Sequence, residues 1–191
     1  QIIAEQRMHY PLDTCLISHE PLRDEGEDTA TEFVYDNRLV RLCCKSCRKD
    51  FLADPDTYSA KLDEAIADAQ REHYPLATCV VGGGELGSMG EPFELVFENR
   101  LVRLCCDGCL EKFHANPHKY TDEIDKAYAD AQRESYPLAE CPVSGMELGS
   151  MGKPAELVAG TTLVRFCCDG CFGEFKDDPG KYLAKIGAAK D

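Results

Sequence analysis

Positive charge is scarce in this 191-residue sequence: 21 Lys and Arg stand against 35 Asp and Glu, a formal charge of −14. Such a chain repels phosphate backbones and anionic lipid, so nucleic acid is not an expected partner. Tryptophan is absent, and no apolar run approaches the roughly 18 to 20 residues of a membrane helix, so no transmembrane segment is expected. Also missing are the Gly-Lys-Ser/Thr of a phosphate loop, a nucleophile elbow and any legible Ser-His-Asp order. Acidic pairs such as Asp24-Glu25 and Asp177-Asp178 read as solubility rather than as acid and base, because nothing places them across a cleft. An enzyme is therefore not expected. No stretch has the pattern of a secretory signal, and the sequence begins at Gln1 rather than Met. A processed, exported protein, periplasmic or similar, is the expectation.

Cysteine is abundant: twelve residues, and their order says more than their number. They fall as Cys15, Cys43, Cys44 and Cys47, then Cys79, Cys105, Cys106 and Cys109, then Cys141, Cys167, Cys168 and Cys171. Cys44, Cys106 and Cys168 are spaced by 62 residues, and Tyr10-Pro11-Leu12, Tyr74-Pro75-Leu76 and Tyr136-Pro137-Leu138 keep nearly the same period. A fixed period of this kind marks tandem units. The segments are 1–72, 73–134 and 135–191. The second and third copies are the closer pair, sharing Glu-Leu-Gly-Ser-Met-Gly at 85–90 and 147–152. The first has the acidic, longer stretch 22–28 there.

Within the second copy, the β-prone runs Phe93–Phe97 and Arg100–Leu104 flank Glu98-Asn99, which predicts a hairpin; the first copy has Asp36-Asn37 at the same junction. The second strand delivers Cys105-Cys106-Asp107-Gly108-Cys109 to a short helix ending near Phe113. Asp54-Pro55, Asn116-Pro117 and Asp178-Pro179 then predict an N-cap with proline at the first helical position. The following helix carries Tyr58, Leu62, Ala65, Ile66 and Ala69, or Tyr120, Ile124, Ala127, Tyr128 and Ala131, on one face, read as core packing. Its polar tail runs into the next Tyr-Pro, and residues 2–9 look like the end of another such helix.

A unit of about 60 residues commonly needs disulfides, a metal or close neighbours for stability. Adjacent strand residues face opposite ways, so Cys105 and Cys106 share a site only if the chain leaves the extended form between them. At a helix start, Cys106 and Cys109, or Cys105 and Cys109, lie on one side, where free N–H groups favour thiolates. Cys79 must supply a further ligand from far away in sequence, and Cys141-Pro-Val-Ser144 looks like a zinc knuckle whose second Cys has become Ser.

Each copy resembles the YHS and TRASH group of small metal-binding domains over roughly 45 residues, most closely at Arg165-Phe-Cys-Cys-Asp-Gly-Cys171 with Phe175, Asp178-Pro179 and Tyr182. The resemblance implies a treble-clef-like fold and heavy-metal binding, usually of zinc or copper, in sensing, trafficking or resistance proteins. It places thiol ligands at Cys15, Cys43 and Cys47, at Cys79, Cys105 and Cys109, and at Cys141, Cys167 and Cys171. The chain departs from the pattern in a longer gap after the first Cys and an additional Cys after the second. It also carries Ser18, Gly82 and Ser144 where many YHS domains have the knuckle Cys.

Four thiolates per copy suit a closed structural zinc site, three with an open position suit Cu(I) or metal delivery, and Cys44, Cys106 and Cys168 decide between them. Two disulfides per copy are the rival for an exported chain. A redox role for Cys106 and Cys109 lacks a thioredoxin-like setting. His19 stands where the other copies have Gly83 and Gly145, so it could tune the first site, though a solvated loop fits it better; His9, His73, His114 and His118 read as surface. The Gly-Ser-Met-Gly loops read as turns, and Met89 and Met151 as weak candidates for soft sulfur ligation.

The sequence thus predicts three tandem α+β modules with about one zinc, or alternatively copper, ion each, in a non-catalytic metal-binding protein that buffers or delivers metal. The alternative is a disulfide- or metal-stapled interaction scaffold, an accessory subunit of a larger exported assembly with protein partners.

Overall fold

The computed structural model describes residues 2–189 and contains the predicted α+β architecture, three hairpin-and-helix modules in tandem. Helix α1 (Ile2–Arg7) leads into the first module, where a two-residue ribbon, β1 (Arg23–Asp24) and β2 (Glu27–Asp28), accounts for the acidic insertion. The hairpin β3 (Thr31–Tyr35) and β4 (Arg38–Leu42) follows, then α2 (Lys45–Ala53) and α3 (Pro55–Arg71). The second module repeats this as β5 (Phe93–Phe97), β6 (Arg100–Leu104), α4 (Leu110–Ala115) and α5 (Pro117–Gln132). The third has β7 (Ala155–Ala159), β8 (Thr162–Phe166), α6 (Phe172–Asp177) and α7 (Pro179–Ala188).

The hairpins close in the predicted places, with Tyr35 opposite Arg38, Phe97 opposite Arg100 and Ala159 opposite Thr162. Two-residue hairpin loops that match strand twist need positive φ at both central residues. Asp36 and Asn37 (46° and 60°) and Glu98 and Asn99 (50° and 64°) provide it. Asp54 and Asp178 cap α3 and α7 by accepting from the N–H of Thr57 and Lys181. Asn116 occupies the equivalent position before α5 but makes no side-chain cap bond, contrary to expectation.

Each module has its own core, in which a buried phenylalanine of the short helix, Phe51, Phe113 or Phe175, meets the hairpin and the long helix. Leu62, Ile66, Ile124 and Tyr128 fill the predicted stripe, but Ala69 and Ala131 are exposed. The buried face turns at that point because the end of each long helix leaves its own hairpin for the next one. Gln70 donates from Nε2 to the Asn99 carbonyl and accepts the Leu101 N–H. Gln132 does the same to Thr161 and Leu163, and Gln6 of α1 to Asn37 and Leu39. Residues 2–9 thus do for the first hairpin what the tails of α3 and α5 do for the second and third.

The cores also lean on one another. Val96 packs against the first core, Val158 and Leu163 belong to the second, and Met8 is buried in the third, so contact runs from the third module back to the first. Arg23 pairs with Asp178 at 2.8 Å on the same seam, which gives Asp178 a bonding role beyond solubility. His9 is a further correction: it is 3% exposed, not a surface residue. Its ring meets Arg100 through Nε2 and the Gly160 N–H through Nδ1, joining all three modules.

Candidate metal centres

Each site is assembled from two pieces of chain. The first is a tight turn after Tyr-Pro: the Cys79 N–H donates to the Gly84 carbonyl at 2.7 Å, and the Gly83 N–H to the Cys79 carbonyl at 2.8 Å. The corresponding bonds hold Cys15 and Cys141. The turn requires a left-handed residue, supplied by His19 (φ 61°), Gly83 (70°) and Gly145 (71°). His19 therefore serves the backbone and is not among the clustered metal-ligand side chains. The tyrosine hydroxyls pin this turn to the hairpin: Tyr10 donates to the Arg41 carbonyl, while Tyr74 and Tyr136 accept from the N–H of Arg103 and Arg165.

The second piece is the end of the hairpin and the helix start. Cys47 lies in the first turn of α2, whereas Cys109 and Cys171 close single 3-10 turns, Asp107–Cys109 and Asp169–Cys171. Cys15, Cys43 and Cys47 converge, as do Cys79, Cys105 and Cys109, and Cys141, Cys167 and Cys171, with the sulfurs of each group within 4.8 Å of one another. The close sulfur pairs include Cys43 to Cys47 at 3.7 Å, Cys105 to Cys109 at 3.8 Å and Cys141 to Cys171 at 3.8 Å. All twelve cysteines are free, and these separations are far beyond a bonded pair near 2.05 Å. They match sulfurs sharing one ion at about 2.3 Å each. Each group could hold one metal ion.

Cys44, Cys106 and Cys168 stand outside these groups. Each lies near one of the three sulfurs, Cys44 at 3.7 Å from Cys47, Cys106 at 4.0 Å from Cys105 and Cys168 at 3.9 Å from Cys167. The chain bends at the vicinal cysteines, but the helical turn starts only after the second of them. Cys106 is still extended (φ −163°, ψ 168°), as are Cys44 and Cys168, so the turn comes one residue later and the second Cys of each pair sits at the rim.

The thiols are electrostatically unequal. Burial raises Cys15, but the Ser18 hydroxyl and the N–H groups of Ser18, Cys43 and Ile17 outweigh it and bring it to about 6. Cys141 is held at about 7 in the same way, against its burial, by Ser144 and the N–H groups of Ser144, Cys167 and Val143. Cys79 is lowered against its burial by the N–H groups of Gly82, Cys105 and Val81. Burial, and then the neighbouring thiols, push Cys47, Cys109 and Cys171 up to about 12. Each site thus combines a thiolate favoured by hydrogen bonds with a thiol that must surrender its proton on metallation.

Ser18 and Ser144 stand at the sites without being among the expected ligands. Ser18 Oγ is 3.1 Å from Cys43 Sγ and Ser144 Oγ 3.3 Å from Cys167 Sγ. Their signal was the knuckle spacing itself. Met89 and Met151 are 72% and 61% exposed and stay outside the clusters; the Gly-Ser-Met-Gly loops are turns, closed by bonds such as Ser88 N–H to the Glu85 carbonyl. Among the described residues no helix is long and apolar enough to cross a membrane. Compared with family models, with curated proteins and with solved structures, the chain finds no match in any of the three.

Proposed function

We propose that this is a non-catalytic metal-binding protein with one ion per module, zinc first and Cu(I) as the alternative, akin to YHS and TRASH domains and working outside the cytoplasm. The observation that carries the reading is the threefold recurrence of a three-cysteine group at metal-sharing distances. Three thiolates plus one lighter donor suit tetrahedral zinc, and three thiolates alone suit Cu(I). In each module the three cysteines line the core, so an ion there supports the module's fold, and exchange of that ion buffers or delivers metal. Sulfurs left unbonded yet gathered in threes favour metal over a disulfide-stapled scaffold. Titration of the reduced, metal-free chain with Co(II) tests the reading. The expected result is thiolate-to-cobalt charge-transfer absorption that saturates at three equivalents and is displaced by zinc; absence of thiolate ligation would refute it.

A further inference from the structure

The three sites are alike in sulfur and unlike in what stands over it. In the first and third modules a serine hydroxyl leans on the sulfurs, Ser18 on Cys43 and Ser144 on Cys167. The matching residue of the second module is Gly82. A Cβ at Gly82 would lie 3.1 Å from Cys109 Sγ, 3.4 Å from Cys105 Sγ and 3.8 Å from Cys79 Sγ, so a side chain there would point onto the face shared by all three sulfurs. The backbone does not demand glycine at this position. Gly82 lies outside the left-handed region, and the left-handed residue of the turn is the following Gly83. Gly82, Ser18 and Ser144 are all exposed, so the second module differs not in the exposure of its turn but in lacking the hydroxyl that stands on the sulfurs. The rim residue Cys106 does not account for the difference, because Cys168 takes the same position, beside Cys167, at a serine-bearing site.

Resting on the reading of these groups as metal sites, we propose that the middle module holds its ion with Cys79, Cys105 and Cys109 and takes its fourth donor from outside, a thiol from solution. The first and third modules instead close over their ions with their own Ser18 and Ser144. A soft ion already held by three sulfurs favours a fourth sulfur. On ligation a sulfur–metal bond forms, a metal-bound water leaves, and the thiol proton passes to solvent, with no change of oxidation state. The middle site is thereby the point of ligand exchange and metal transfer, and the outer two are retained.

Native mass spectrometry of the full zinc-loaded chain titrated with glutathione under argon tests this. The expected species carries three zinc ions and a single glutathione. Gly82→Ser abolishes the adduct, and the double variant Ser18→Gly with Ser144→Gly raises it to three. Should Gly82→Ser fail to fold, the double variant still decides, since it adds no atom to the turns and gives up there only the exposed bonds from the Glu20 and Met146 N–H groups. Three zinc ions with no adduct, an adduct that survives Gly82→Ser, or a double variant still limited to one would overturn the inference while leaving the metal reading intact. A chain that retains no zinc would overturn both, and the metal count distinguishes the two cases.

Discussion

The side chain of Gln70 accepts the Leu101 backbone N–H at 2.8 Å, reaching from the last turn of one module's helix into the hairpin of the next. Its other end donates to the Asn99 carbonyl at 2.9 Å, and the residue is 3% exposed. The adjoining Arg71 pairs with Glu94 of the same hairpin. Gln6 with Arg7 and Glu32, and Gln132 with Arg133 and Glu156, repeat the arrangement. The helix that ends one module is therefore part of the scaffold of the next, and each hairpin turn is held before its cysteines are reached.

Removing that clamp leaves two buried backbone groups without partners. Gln70→Ala is expected to cost about 2–4 kcal/mol, read as a lower urea midpoint at unchanged slope. A change within about 0.5 kcal/mol would show that the modules do not depend on one another at this joint.

His9 sets a pH dependence. Burial, with the charges of Arg100 and Lys176 adding to it, pushes its imidazole well below the ordinary 6.5. Below that pH the unfolded chain takes up a proton that the folded chain refuses. The stabilisation is thus fully present above about 6.5 and lost as pH falls towards the folded value, with a slope of at most about 1.4 kcal/mol per pH unit. Asp178 is lowered by its bond to Arg23, so its contribution fades separately, in the carboxylate range. Urea midpoints from pH 7.5 to 5 are expected to fall more steeply in the native chain than in His9→Gln, the lowered Cys15 and Cys141 thiols contributing a slope common to both; equal slopes would contradict the assignment.

The vicinal cysteines are expected to differ. Cys105→Ser removes a member of the sulfur triad and lowers the bound metal by one ion per chain, whereas Cys106→Ser, at the rim, leaves the count at three. Equal losses from both variants would show that the rim sulfur is a full ligand and that the site closes on four thiolates.

Much of this was legible in the sequence because it rests on local rules. Asp36-Asn37 and Glu98-Asn99 marked the hairpin turns, Asp54-Pro55 and Asp178-Pro179 the helix starts, and the 62-residue period the three modules. The grouping of the knuckle and helix-start cysteines in threes came from the resemblance to YHS and TRASH domains, while the residues alone left the second vicinal Cys open. What escaped depended on packing between modules. His9 looked like any loop histidine because Arg100 and Gly160, which enclose it, come from the other two copies. Ala69 and Ala131 looked apolar and periodic, but the helix changes neighbours there and its buried face shifts to Gln70 and Ala129. The signal for the clamp was present as Gln-Arg recurring at 6–7, 70–71 and 132–133, though a polar repeat on a helix reads first as a solvated face. The position of Cys106 turned on a single residue, since extended backbone persists at Cys106 after β6 ends at Leu104.

The central claim is one ion in each three-cysteine group. Metal content by mass spectrometry, on the chain purified without chelators or an affinity metal, tests it most directly. About three zinc or copper ions per chain are expected, lost together with the folded modules when a strong chelator is added. Essentially no metal, with all twelve cysteines blocked to alkylation, would contradict it and leave three disulfide-stapled modules in its place.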